Sequence, residues 1–275
     1  MPKRSRTVFF VSDGTGITAE MLGHSLLTQF EGIAFTQVVV PFVDTPEKVD
    51  ACLRRVAEAR AASAARPIVF CTLVDDAVRA ALRQADALVL DFFEGFISPL
   101  EAEFSIRSSH AVGRSHGVAH SKEYQHRIEA VNFALAHDDG LGSQDLSRSD
   151  VILVGVSRSG KTPTCLYMAL QFGIKAANYP LTPDDFERGE LPGAVAPHLG
   201  KLFGLTISPE RLSEIREERR PGSRYARLDN CRYEVDAAET LMRRHEIPAL
   251  GSTTLSIEEI ATRILQAVRL ERRVY

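Results

Sequence analysis

The sequence predicts an α/β protein in which an N-terminal domain with a doubly wound, mostly parallel sheet precedes a second α/β domain. Strand and helix patterns alternate through residues 7–93, as they do in doubly wound sheets. A new apolar strand opens at residue 150 and leads into a glycine-rich loop and a helix. An acidic, glycine-containing loop at 138–143 lies before that strand. We therefore expect two domains, residues 1–145 and 146–275.

Four short runs rich in β-branched and aromatic residues predict buried strands in the first domain, and helical patterns lie between them. The strands are expected at 7–11, 36–43, 67–73 and 87–93, and the helices at 18–29, 46–62 and 75–84. Right-handed crossovers are the default connection between parallel strands. A polar segment at 105–121 and a helix at 122–136 complete the domain.

The second domain continues the alternation of strands and helices. Strands are expected at 151–154, 174–181, 201–207 and 247–250, helices at 164–172, 209–220 and 234–245, and an acidic turn at 182–185. A final helix is indicated by a capping box, Ser256 with Glu259, and by apolar residues that repeat at helical spacing up to Val268.

The loop between the strand at 151–154 and the next helix matches the phosphate-binding motif G-x-x-x-x-G-K-[ST] at every specified position. Glycines allow backbone N–H groups to turn toward phosphate oxygens, Lys161 adds a positive charge, and the Thr162 hydroxyl can bind Mg²⁺. The following helix directs its positive end at the anion. This context predicts a P-loop kinase-like α/β domain. The expected nucleotide-binding residues are Gly155, Val156, Ser157, Arg158, Ser159, Gly160, Lys161 and Thr162.

The composition, with 44% hydrophobic and 25% charged residues, is that of a soluble globular protein. A net charge of −3 gives no attraction to nucleic acid or to an anionic membrane. No stretch approaches the roughly 20 apolar residues of a membrane span, and the apolar run that ends at Val11 is too short for a secretory signal. The four cysteines form no C-x-x-C pair, so neither a zinc site nor a disulfide framework is predicted. A cytoplasmic location is expected.

A second glycine turn, at residues 12–16, follows the first predicted strand and begins a G-x-G-x-x-A dinucleotide pattern. Asp44 stands where a ribose-binding acid would be expected. A lone fingerprint is weak evidence, and the same residues also fit a tight strand-to-helix turn or a cradle for phosphate or a phosphorylated residue. The candidate substrate or phosphate residues here are Ser12, Asp13, Gly14, Thr15 and Gly16.

Phosphoryl transfer needs an acid that holds Mg²⁺ or its water, commonly at the end of an apolar strand. Asp91 ends such a run, although its use requires the two domains to face each other. Adjacent acids in loops are more often turn formers than metal ligands. The order of choice is Asp91, then Asp138 with Asp139, then Asp184 with Asp185. The candidate catalytic residues are Lys161, Asp91 and Asp139.

Two further segments are rich in basic or histidine residues. The first contains His110, His116 and His120 with Arg107 and Arg114, in a spacing that favours a solvated or phosphate-contacting segment over a zinc site. The second, residues 209–232, has seven arginines against five acids. Arginines of such a segment can close over transferring phosphates. The candidates for this role are Arg216, Arg219, Arg220 and Arg224, of which Arg219 and Arg220 enter the candidate substrate site.

Taken together, several segments resemble the family of phosphoenolpyruvate synthase regulatory proteins over nearly the whole chain. They are 11–20, 136–140, 155–164, 171–180, 202–207, 215–220 and 256–261. Regulators of pyruvate, phosphate dikinase share the architecture, but residues 217–220 with 223–226 look closer to the synthase branch.

The resemblance implies a bifunctional enzyme whose protein substrate is phosphoenolpyruvate synthase. One activity is an ADP-dependent kinase that phosphorylates an active-site threonine, and the other is a pyrophosphorylase that removes this phosphate with inorganic phosphate. The family's ADP site corresponds to residues 155–162. Lys161 and the loop would hold ADP, and Thr162 would hold Mg²⁺.

Other functions fit parts of the same pattern. The chain could be a small-molecule kinase that uses ATP, or a nucleotide-sensing module without chemistry that docks through 209–232. A nicotinamide-dependent dehydrogenase would require the glycine turn at 12–16 to bind a dinucleotide. The sequence leaves a homodimer open.

Overall fold

The chain forms two compact units, Met1–Gly117 and Val118–Tyr275. The structure is a computed structural model that describes residues 4–63, 65–109, 121–139 and 143–271. Within these ranges no helix is long and apolar enough to cross a membrane. The predicted histidine segment with His110, His116, His120 and Arg114 lies outside the described residues.

The first unit contains a sheet of four parallel strands in the order β2-β1-β3-β4. Its strands are β1 (Arg4–Ser12), β2 (Ile33–Val40), β3 (Ile68–Thr72) and β4 (Leu88–Asp91). Its helices are α1 (Ile17–Leu27), α2 (Pro46–Ala62), α3 (Asp76–Leu82) and α4 (Phe92–Phe104). Because successive strands are added first on one side of β1 and then on the other, this is the doubly wound arrangement that the sequence predicts.

Helix α4 differs from the sequence prediction. The pattern predicts a strand through Phe93, but β4 ends at Asp91 and α4 begins at the next residue. The Asp91 carboxylate accepts hydrogen bonds of 3.0 Å from the backbone N–H groups of Phe93 and Glu94, which caps the helix. The sequence pattern did not reveal this boundary, since a short apolar run fits a strand or a helix equally well.

The second unit repeats the strand order of the first, as β6-β5-β7-β8, and all its strands are parallel. Its strands are β5 (Val151–Gly155), β6 (Ala176–Pro180), β7 (Leu202–Thr206) and β8 (Ala249–Gly251). Its helices are α5 (Ser121–Ala136), α6 (Lys161–Phe172), α7 (Pro183–Arg188), α8 (Pro209–Arg219), α9 (Leu228–Arg244) and α10 (Ile257–Ala267). Helix α7 occupies the predicted acidic turn, and α9 begins six residues earlier than residue 234, where the sequence placed its start.

Strand β5 lies at the centre of the second core and is buried along its whole length. Ile152 and Val154 pack into a cluster on one face of the sheet, whereas Val151 and Leu153 pack into a cluster on the other. A strand covered on both faces by helices is apolar throughout, as this one is. The loop that follows β5 therefore leaves from a strand that is buried on both faces.

The division between the units falls earlier than the predicted boundary at 145/146. Helix α5 belongs to the second unit, because its Ala130 and Ala134 pack in one cluster with Cys165 and Met168 of α6. The acidic segment that begins at Asp138 thus follows a helix of the second unit, rather than marking the start of that unit.

One glycine of the first unit allows a helix to approach the sheet closely. A Cβ atom at Gly23 of α1 would lie 2.5 Å from the Phe10 ring and 2.8 Å from the Phe70 ring. We expect Gly23→Ala to destabilise the protein by about 1–3 kcal/mol through overpacking. Urea unfolding of the full chain, followed by circular dichroism, measures the change.

The matched control is Gly95→Ala in α4, where a Cβ atom would meet nothing within 4 Å. Alanine is the better helix former, so this change should stabilise by about 0.5–1 kcal/mol. The same sign for both variants would contradict the packing role of Gly23.

Candidate phosphate-binding site

The predicted phosphate loop connects the carboxyl end of β5 to the amino end of α6. Strand β5 lies between β6 and β7, so the chain leaves it at the point where the strand order reverses. Ligands of open α/β sheets bind at this place, outside the carboxyl ends of the strands. The structure therefore confirms the strand–loop–helix context that the motif requires.

The loop backbone depends on residues with positive φ. Gly155 has a φ of +146°, and a Cβ atom there would lie 2.1 Å from the Leu205 carbonyl oxygen of β7, so only glycine fits. Gly160 has a φ of +94° and is the N-cap of α6. Arg158 has a φ of +78° although it is not glycine. Such conformations cost energy and concentrate at functional sites.

Lys161 begins α6 and is only 3% exposed. Its Nζ donates a hydrogen bond of 2.8 Å to the Val156 carbonyl oxygen, within the loop. Burial lowers the pKa of the ammonium group to about 8, against the opposing effect of the Asp139 and Asp138 carboxylates. The lysine is thus held inside the loop, where a bound phosphate would stabilise its charged form.

Thr162 meets a carboxylate and an amide next to the loop. Its Oγ1 donates a hydrogen bond of 2.9 Å to Asp138 Oδ1. Asn178 Nδ2 lies 2.6 Å from the same oxygen, 3.0 Å from Thr162 Oγ1 and 3.2 Å from Asp139 Oδ1. The structure therefore brings Asp138 directly to the predicted Mg²⁺ ligand Thr162, and Asp139 to it through Asn178.

Asn178 is the functional candidate that sequence reasoning missed. It lies in β6, pairs in register with Leu153 of β5 and is 2% exposed. A buried amide inside an otherwise apolar strand next to the loop strand was the available signal, because buried polar groups need partners.

The arginine-rich segment 209–232 contacts the phosphate loop through one buried arginine. Arg216 is fully buried and donates to the Ser157 carbonyl oxygen at 3.1 Å, so its side chain is held within the fold. Tyr225 donates from its hydroxyl to Ser157 Oγ, also at 3.1 Å. Arg219, Arg220 and Arg224 are exposed, and their contact with substrate phosphates stays a prediction.

The Asp91 carboxylate lies close to two arginines of the first unit. Besides capping α4, its Oδ2 lies 3.8 Å from Arg79 Nε and 4.0 Å from Arg83 Nη2. These arginines and the helix cap are the local partners of Asp91, and a catalytic role for Asp91 stays a prediction.

The glycine turn at 12–16 occupies the same topological place in the first unit as the phosphate loop does in the second. Gly16, with a φ of +84°, is the N-cap of α1. Asp13 is 9% exposed, and its carboxylate accepts a hydrogen bond of 2.7 Å from Val74 N–H. Gly14 N–H donates to Ser12 Oγ at 3.1 Å. Burial raises the pKa of Asp13. A substrate or phosphate role for this turn stays a prediction.

Comparison with known proteins places the chain in a family. The model of the kinase/pyrophosphorylase family matches residues 8–265. A protein of Aromatoleum aromaticum is 63% identical over 271 residues, which is 98% of each chain. A protein of Azoarcus sp. is 62% identical over the same length and share, and one of Burkholderia multivorans is 60% identical over 269 residues. All three carry, provisionally, the name phosphoenolpyruvate synthase regulatory protein. The chain described here belongs to the kinase/pyrophosphorylase family.

Proposed function

We propose that the protein regulates phosphoenolpyruvate synthase by transferring phosphate to and from one threonine of that enzyme. ADP is the phosphoryl donor of the kinase reaction, and inorganic phosphate is the acceptor in the reverse function, which releases pyrophosphate. The observation that carries the proposal is the contact between Thr162 of the phosphate loop and the Asp138 carboxylate, beside Lys161. The names of the relatives support the choice of partner.

The donor set beside the loop fits Mg²⁺. This cation prefers oxygen ligands, uses one or two carboxylates and takes its remaining ligands from phosphates and water. Thr162 and Asp138 supply a hydroxyl and a carboxylate, both within hydrogen-bond reach of the Asn178 amide. When bound, Mg²⁺ would neutralise charge on the phosphates.

Lys161 and the loop amides bind the β-phosphate of ADP and hold it in line with the incoming hydroxyl. The threonine oxygen attacks the β-phosphorus, the bond from that phosphorus to the bridging oxygen breaks, and AMP leaves. Asp139 is exposed and, among the described residues, accepts a single hydrogen bond, the 3.2 Å contact from Asn178, whereas Asp138 is bonded to Thr162. We therefore assign to Asp139 the role of general base, which accepts the proton of the threonine hydroxyl.

In the reverse function an oxygen of inorganic phosphate attacks the phosphothreonine phosphorus. The bond from phosphorus to the threonine oxygen breaks, and pyrophosphate forms. The proton released by inorganic phosphate passes through Asp139 to the threonine oxygen. Both directions use the same phosphate loop, which explains how one site supports two activities.

The direct test uses purified phosphoenolpyruvate synthase in its phosphohistidine form, incubated with the protein and ADP. We expect one added phosphate on a threonine, located by mass spectrometry, with AMP formed in equal amount. Subsequent inorganic phosphate should remove it and produce pyrophosphate. Lys161→Ala should lose both activities; full kinase activity in this variant, or transfer from ATP alone, would exclude the proposal.

Asp139→Asn tests the proton acceptor. We expect kcat to fall by about 10²–10⁴ in both directions, because general acid–base groups contribute effects of that size, while the KM for ADP changes little. Asp236→Asn, an exposed aspartate of α9, is the control and should keep wild-type rates. An Asp139→Asn variant with wild-type kcat would show that another group takes the proton.

The pKa of Lys161 predicts how ADP affinity depends on pH. In the free protein this pKa is about 8, and bound phosphate stabilises the charged form, so binding takes up a proton above that pH. Affinity should be constant below about pH 7.5 and fall up to tenfold per pH unit above about pH 8. Calorimetry in two buffers of different ionisation enthalpy measures affinity and proton uptake.

Lys161→Arg provides the control for this dependence, because an arginine does not titrate in this range. Its affinity for ADP should be lower but constant with pH. Proton uptake by this variant equal to that of the wild type would assign the dependence to a different group.

A further inference from the structure

Arg216 of α8 is completely buried and joins three parts of the second unit. Its Nη2 donates to Glu234 Oε2 at 2.7 Å and to the Ser157 carbonyl oxygen at 3.1 Å. Its Nη1 donates to the Tyr225 carbonyl oxygen at 3.1 Å, and its guanidinium carbon lies 3.9 Å from the centre of the Tyr225 ring. One side chain thus connects α8, α9 and the phosphate loop.

A contribution to folding stability does not by itself explain why Arg216 is buried here. Burying an ion pair costs desolvation energy that the attraction between the charges often only matches. The charge of Arg216 is already balanced by Glu234, which also accepts a hydrogen bond from Asn230. The Arg216 Nε has no hydrogen-bond partner among the described residues. The additional hydrogen bond to the loop therefore calls for an explanation beyond packing.

The contact with Ser157 has a geometric consequence for the next residue. The chain has no cis peptide bond in its described part, and in a trans peptide the C=O and the following N–H point in opposite directions. Holding the Ser157 carbonyl toward Arg216 therefore turns the Arg158 N–H away from α8. Arg158 is the loop residue with the unfavourable φ of +78°. A hydrogen bond from a buried, immobile donor can maintain such a conformation.

We propose that Arg216 is a positioning residue for nucleotide binding: it fixes the Ser157–Arg158 peptide so that the Arg158 N–H faces the phosphate. Arg216 touches no phosphate itself. The inference rests on the proposed function, since it takes a nucleoside diphosphate as the ligand of the loop. It gives a role to an arginine that is too buried to close over the substrate.

The test is a double-mutant cycle in the binding of ADP with Mg²⁺, measured by calorimetry on the full chain. Arg216→Lys keeps the charge near Glu234 but cannot donate to all three partners. We expect it to weaken ADP binding about tenfold, the effect of losing one hydrogen bond from a charged group. Arg211→Lys, an exposed arginine of the same helix, is the control and should leave the affinity unchanged.

The second arm of the cycle replaces Arg158 with glycine, which adopts positive φ without cost. In Arg158→Gly protein, Arg216→Lys should weaken binding by only about twofold or less, because the loop no longer needs to be held. Any phosphate contact of the Arg158 side chain is absent from both proteins of this arm, so it cancels in the ratio. A purely structural role of Arg216 would give equal losses in both arms and would overturn the inference.

Thermal unfolding of each variant shows whether it is folded. If Arg216→Lys does not fold, Arg216→Met combined with Glu234→Gln takes its place, because this pair leaves no unpaired charge. The same ratio between the two arms is then expected. Wild-type protein that fails to bind ADP would contradict the proposed function, whereas binding with equal losses in both arms would contradict only the role of Arg216.

Discussion

The close approach of Gly155 to the Leu205 carbonyl oxygen is the constraint on which the candidate site depends. The chain leaves β5 directly against the neighbouring strand β7, where a Cβ atom would lie 2.1 Å from that oxygen. Only a glycine can make this turn, and the turn places the loop above the switch point of the sheet. Because β5 is buried on both faces, its end cannot shift to accommodate a larger residue. The position of Lys161 at the start of α6 follows from the path that the chain takes as it leaves β5.

The electrostatics of the site balance one buried cation against two carboxylates. Lys161 has little contact with water, and the Asp138 and Asp139 charges favour its ammonium form without cancelling the effect of burial on its pKa. Asn178 lies within hydrogen-bond reach of both carboxylates. A polyanionic ligand near these carboxylates would be repelled unless a cation accompanied it. The arrangement thus favours a nucleotide bound together with a divalent cation over a nucleotide alone.

The parts of the site that the sequence predicted are those within one short segment. Residues 155–162 carry their own spacing signal, and the adjoining strand and helix are strongly patterned. The missed partners are distant in sequence, since Asn178 lies 40 residues from Asp138 and Arg216 lies 59 residues from Ser157. The pairing of Asp138 with Thr162 has the same character: a strand-end position drew attention to Asp91 in the sequence, whereas the packing of α5 against α6 brings Asp138 to Thr162.

The two units show that topology offers a ligand site and that side-chain charge decides its use. Both sheets have the same strand order, and a turn with a positive-φ glycine follows the central strand of each. In the second unit this turn encloses the Lys161 ammonium group, but in the first it encloses the Asp13 carboxylate, which already accepts the Val74 N–H. An anion could bind beside Asp13 only if that group were protonated or paired with a cation. Our proposal that a nucleotide binds to the second unit therefore rests on charge, because the strand order alone would allow a site in either unit.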